Sequence, residues 1–210
     1  MKLAHVQLKP LLLDVNGPDS KLNISAASDV TLKAATQGVN REQMLNHLNG
    51  SCDFSLEKGV VEGVDLNYLL QSADAFINKQ PTDALVNSKQ TAFDHLTGSL
   101  LIKNGLATTN NLLLVAPAFV AKSQGSINVV NSDLNLQLQV KPQDTLKTQW
   151  EIPMRLTGNL KQPDIRLDTT EIEKFILRQN LEKVKSRARE EIQKHIPGKA
   201  GQLLQNLLGR

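Results

Sequence analysis

A chain of 210 residues with 40% hydrophobic and 21% charged side chains can bury a substantial core as one large or two small domains, and its make-up is that of a globular protein. An aromatic share of 3% counts against binding of single-stranded nucleic acid, whose bases need rings to stack upon. A single cysteine, Cys52, excludes an internal disulfide, and no apolar run approaches the roughly 18 residues of a membrane-spanning helix. The net charge of +3 is unevenly placed: Thr169 to Arg210 carries nine Lys/Arg against five Glu, while residues 1–168 are close to neutral. Leu11 to Leu13 is too short for the apolar core of a signal peptide. Taken as written, such a chain neither exports nor anchors itself, so it is expected to be either cytoplasmic or a fragment of something longer.

Residues 3–8 alternate as a short strand (Ala4, Val6, Leu8) broken by Pro10, and Leu11 to Val15 leads into a turn at Asn16-Gly17-Pro18. Leu22, Ile24, Ala26, Val30, Leu32 and Ala34 then keep one phase in a strand longer than the usual five or six residues. Asn40 opens a short helix with Gln43 as its capping-box partner, Val39 and Met44 as a hydrophobic staple, and Gly50 past its end. Leu45 and Leu48 should face the sheet. Cys52, Phe54 and Leu56 form the next strand, expected to turn at Lys58-Gly59. Asp65 is placed to cap a second helix that carries Leu66, Leu69, Leu70, Ala73, Phe76 and Ile77 on one face. Lys79 to Gln90 is polar and reads as a linker.

From Thr91 to Leu160 the pattern is a β-meander. Leu96, Leu100 and Ile102 alternate up to Asn104-Gly105, a strong signal for a type I′ hairpin. Continued without a break, that register sets Ile102 against Ala107 and Leu96 against Leu113, and puts Val115 on the same face. The chain is expected to turn again after Pro117 and around Gln124-Gly125, and then to emit Ile127 and Val129. Leu134, Leu136, Leu138 and Val140 alternate strictly with polar residues, and Trp150, Ile152, Met154 and Leu156 repeat the pattern. Ile165 and Leu167 make a last strand. The period then becomes helical, with Ile172, Ile176, Leu177, Leu181, Val184, Ala188 and Ile192 as a stripe, Pro197-Gly198 as the stop, and a tail bearing Leu203, Leu204, Leu207 and Leu208.

The aliphatic face of these strands needs a cover. Burying one such side chain is worth roughly 1.5–3 kcal/mol, and a folded domain has only about 5–15 kcal/mol to lose. The cover is the protein's own helices, as in any half-buried antiparallel sheet, a second sheet, a lipid or a partner.

Several short signatures occur in a fixed order: Leu48-Asn49-Gly50; Gly63-Val64-Asp65-Leu66; Thr91, Phe93, Leu96 and Gly98; Ile102, Asn104 and Gly105; Gly125, Ile127 and Val129; and finally Ile152-Pro153, Gly158, Leu160 and Pro163-Asp164. In this order the chain resembles the C-terminal domain of the AsmA-like family of bacterial envelope proteins, over roughly residues 20–168. The resemblance implies a periplasmic module of outer-membrane biogenesis, tied to the inner membrane by an anchor that this chain does not contain. That group is similar to the bridge-like lipid-transfer proteins, whose curled sheets form lipid-lined grooves. The fold class expected is α+β, mostly β: a long twisted antiparallel sheet of the AsmA-like groove type, short helices covering one face, and a C-terminal amphipathic helix. Residues 1–168 form the sheet domain with its two inserted helices, and 169–210 the basic helical tail.

No catalytic or metal-binding motif is present: there is no G-x-S-x-G elbow, P-loop, C-x-x-C or H-E-x-x-H. The four histidines are isolated, and Asp94 and His95, as neighbours on a strand, should point to opposite faces. Asp65 reads as a helix cap rather than a general acid. The expectation is therefore a protein that is not an enzyme, with no cofactor, no metal and no nucleic acid. Its partner would be phospholipid, held by contact at Leu96, Leu100, Ile102, Leu113, Val115, Leu134, Leu136, Leu138, Ile152 and Met154. The C-terminal helix, through Ile176, Leu181, Lys183, Val184 and Arg187, would either pack as a solvated helix or meet a membrane surface or an envelope protein. The rival function is a scaffold for envelope assembly that docks a partner through an open sheet edge or through this helix.

Overall fold

The computed structural model describes residues 2–10, 20–78, 80–81, 85–143 and 150–195. The turn expected at 16–18 and the leucine tail lie outside these residues. The chain forms one nine-stranded antiparallel sheet in which every strand pairs with its neighbours in sequence. The strands are β1 (Lys2–Gln7), β2 (Asn23–Ala35), β3 (Asn49–Glu62), β4 (Gln90–Lys103), β5 (Leu106–Ala116), β6 (Phe119–Asn128), β7 (Asp133–Pro142), β8 (Ile152–Asn159) and β9 (Gln162–Leu167). Helix α1 (Arg41–Asn46) joins β2 to β3, and α2 (Leu66–Ile77) joins β3 to β4. Helix α3 (Thr169–His195) belongs to a separate compact unit that begins at Asp168. The protein is thus mostly β, with an open sheet, a few short helices and a C-terminal helix.

Local chemistry accounts for the element ends. Asn40 caps α1 by accepting from the Gln43 N–H at 2.9 Å, while Gln43 Oε1 accepts from the Val39 N–H. The staple does not form, because Val39 and Met44 are both exposed. Asp65 caps α2 and is buried: it accepts from the Tyr68 N–H at 2.9 Å and from both the N–H and the hydroxyl of Ser88. Leu66, Leu70 and Ala73 are buried, but Phe76 is 64% exposed and so is not part of the packed face. Asn104 and Gly105 both have positive φ, 47° and 75°, as a type I′ turn requires.

Three departures from the expected strands share one cause. A glycine or asparagine inside a strand can mark a bulge or a close backbone approach instead of a turn. The chain does not turn at Lys58-Gly59. β3 runs through to Glu62, and its register against β2 shifts there, between the Ser25 and Ala27 pairs. Nor does it turn at Gly125, which lies inside β6 opposite Leu136. The third departure is a bulge at Asn110-Asn111 in β5, seen as a shift against both β4 and β6. Asn111 Oδ1 accepts from the N–H and hydroxyl of Ser99, so the interrupted ladder keeps its hydrogen bonds. Because of this bulge Leu96 pairs with Leu114 and Thr97 with Leu113.

Gly125 has φ +144°, and a Cβ there would lie 2.1 Å from the backbone oxygen of Asn135. Gly125→Ala is expected to cost about 2–4 kcal/mol, combining backbone strain with displacement of β7. A matching fall in the urea midpoint at unchanged slope is the measurement.

The sheet coils back on itself. In a flat sheet the β8–β9 turn would sit at the opposite end from the start of β2. A twist of roughly 20–25° per step accumulates over the strands between them. In the structure the Leu22 N–H donates to the Leu160 oxygen at 3.2 Å, so the two ends meet. Helix α2 touches β4 and β9. At the same end of the sheet Phe119, Val140, Ile152 and Met154 are fully buried and share one face across β6, β7 and β8.

Candidate functional site

The coiled sheet encloses an apolar groove of about 430 Å³, lined by side chains from β2 through β9 and from the start of α2. Among its lining residues only Cys52, Thr91 and Ser123 carry a side-chain heteroatom, and none is charged. The Thr91 hydroxyl is already engaged, donating to Val64 O at 2.8 Å and accepting from the Leu66 N–H at 3.0 Å. The walls differ in exposure. Leu56, Leu134, Leu136 and Leu138 are buried, whereas Phe54, Leu96, Leu100, Leu112 and Leu114 remain half-exposed. One wall is therefore packed and the other is only partly covered.

Of the residues expected to line the face, Leu96, Leu100, Leu134, Leu136 and Leu138 do so. Leu113 and Val115 do not: the Asn110-Asn111 bulge turns them to the outer face and brings Leu112 and Leu114 into the groove. Ile102 is buried near the Asn104-Gly105 turn, beyond the groove. Ile152 and Met154 are on the inner face but sit in the packed end of the sheet. Ile24 and Val30 of β2, and Leu22 just before it, line the groove; their common phase is visible in the sequence, but their distance from β7 is not. Asp94 and His95 are both exposed, and the register of β4 against β3 runs past them without a shift. Among the described residues no group of three His, Cys, Asp or Glu could hold a metal ion.

Cys52 is half-buried in the groove wall, opposite Leu100. Burial first, and the Asp53 carboxylate second, push its thiol above the ordinary value. The thiolate, which is the reactive form, is accordingly scarce near neutral pH. Alkylation by iodoacetamide should run severalfold slower than for an unhindered thiol at pH 8, accelerate at higher pH than usual, and slow further when an acyl probe fills the groove. Intact-mass kinetics measure all three.

A family model described as the AsmA family matches residues 1–112, which span β1 to most of β5. The chain belongs to the AsmA family. No curated protein and no solved structure matches it.

Several of the short signatures of this AsmA-family chain touch one another in the fold. The Asn104 N–H donates to Asn49 Oδ1 at 3.1 Å and the Gly105 N–H to Leu48 O at 3.0 Å, so the Leu48-Asn49-Gly50 element is bound to the hairpin turn. Val64-Asp65-Leu66 is bound to Thr91 in the same way. These hydrogen bonds tie the elements of the groove wall to one another.

Helix α3 is capped by Asp168, whose carboxylate accepts from the Glu171 N–H at 3.2 Å, and it carries Glu171–Lys174 and Glu182–Lys185 ion pairs. At about 100° per residue, Leu177, Leu181 and Val184 share one face, while Ile172 and Ile176 lie on another together with Lys183 and Arg187. The five candidate residues of the helix therefore do not form one stripe. Leu177, Leu181 and Val184 are exposed.

Proposed function

We propose that this AsmA-family chain is a non-enzymatic lipid-binding module of the bacterial envelope, working on the periplasmic side of the inner membrane and holding phospholipid acyl chains in its groove. The carrying observation is an open, uncharged groove of about 430 Å³, within the range of small-molecule sites. Hydrocarbon suits such a lining, in which the buried Ser123 hydroxyl is the one polar side-chain atom found without a hydrogen-bond partner among the described lining residues. With no charged side chain among the lining residues, the groove selects for chains and leaves the headgroup outside. Gentle purification, solvent extraction and mass spectrometry should return diacyl phospholipid. Protein that carries no lipid and takes up no acyl probe would refute the proposal.

A second reading is favoured by the exposed Leu177, Leu181 and Val184 of α3: a scaffold that docks an envelope protein or a membrane surface through this helix. Deleting residues 169–210 separates the two readings. A groove-based function keeps its lipid, whereas a helix-based one loses its partner.

A further inference from the structure

Among the described residues few hydrogen bonds join the β8–β9 turn to the start of β2, and these lie beside the groove. β2 and β3 are laddered continuously from Asn23–Glu62 to Ala35–Asn49 apart from one bulge, and β7 and β8 from Asp133–Asn159 to Val140–Ile152. β9, by contrast, is an edge strand. Among the described residues the return of the β8–β9 turn to the start of β2 rests on one backbone bond, Leu22 N–H to Leu160 O at 3.2 Å, and on the Ser20 hydroxyl, which reaches Leu160 O at 3.1 Å and Leu22 O at 3.0 Å. Asn23 holds Ser20 in place, its side-chain amide donating to Ser20 O at 2.7 Å. α2 adds a contact to β9. Leu22 and Leu160 flank this seam and both line the groove, so parting it opens directly onto hydrocarbon.

We infer that the seam between Ser20–Leu22 and Leu160 is the lateral portal through which an acyl chain enters and leaves the groove, with the Ser20 hydroxyl as its latch. The inference rests on the lipid reading above. Two hydrogen bonds to a single carbonyl are cheap to break, since each is worth roughly a fivefold change in an equilibrium. Parting a β-ladder, in contrast, breaks many bonds at once.

The test uses the full chain with Leu22→Cys and Leu160→Cys in a Cys52→Ser background, and follows uptake of an NBD-acyl phosphatidylglycerol from phosphatidylcholine vesicles. Oxidised protein should take up the probe at least about tenfold more slowly than the same protein after reduction, and should retain probe loaded beforehand. Independently of whether that bond forms, Ser20→Ala should speed both uptake and release about fivefold while moving the equilibrium affinity less than twofold. Equal uptake by oxidised and reduced protein, or unchanged rates in Ser20→Ala, overturns the portal. If the reduced protein binds no probe at all, the lipid reading falls and the portal with it.

Discussion

Leu100→Asp is expected to weaken binding of an acyl probe on the order of a hundredfold, the cost of placing one carboxylate against hydrocarbon. Leu100 is half-exposed and faces the groove from β4, paired with Cys52. In the unliganded protein water in the open groove can solvate the new charge, so stability should change by only about 1 kcal/mol. A bound chain would expel that water and strand the carboxylate. The control is the next residue: Leu101 is 51% exposed and lies on the outer face, so Leu101→Asp should leave affinity within twofold. Titration of both variants with one fluorescent acyl probe decides the matter. If the two behave alike, the inner face is not the binding surface.

Phe119→Ala should be the most destabilising single truncation, at about 3–5 kcal/mol, which for a chain of this length lowers Tm by roughly 10 °C or more. Phe119 has no exposed surface and sits at the start of β6 between Ala116 of β5 and Pro142 of β7. Strands laddered on both sides cannot collapse into the space a phenyl ring leaves, so the full cavity cost applies. Phe119 does not line the groove, and at temperatures well below the lowered Tm the variant should still bind the probe. Loss of stability with retained binding, beside the reverse pattern in Leu100→Asp, would separate the packed end of the sheet from its open wall. Parallel thermal melts and titrations read both.

Most elements, and the faces of several strands, were legible in the local sequence. Strict alternation from Leu134 to Val140, the phase of Leu22 to Ala34, the Asn104-Gly105 turn and the Asn40 and Asp65 caps are all local physics: side-chain direction, glycine at positive φ, and a short polar side chain at a helix start. The motif order also identified the family. Two kinds of fact were decided only by the tertiary structure. Bulges came first: whether Gly59, Gly125 and Asn110-Asn111 turn the chain or bend a strand depends on what the neighbouring strand offers, such as Ser99 for Asn111 or the Asn135 oxygen against Gly125. One misplaced bulge reverses every later side chain, which is why Leu113 and Val115 gave way to Leu112 and Leu114. Closure was the second. Twist adds a little at each strand and carries no local signature, so only the coiled sheet brings Leu160 to Leu22, assembles one groove from strands far apart in the chain, and leaves between its ends a seam where, among the described residues, the Ser20 hydroxyl and one backbone N–H bond to the Leu160 oxygen.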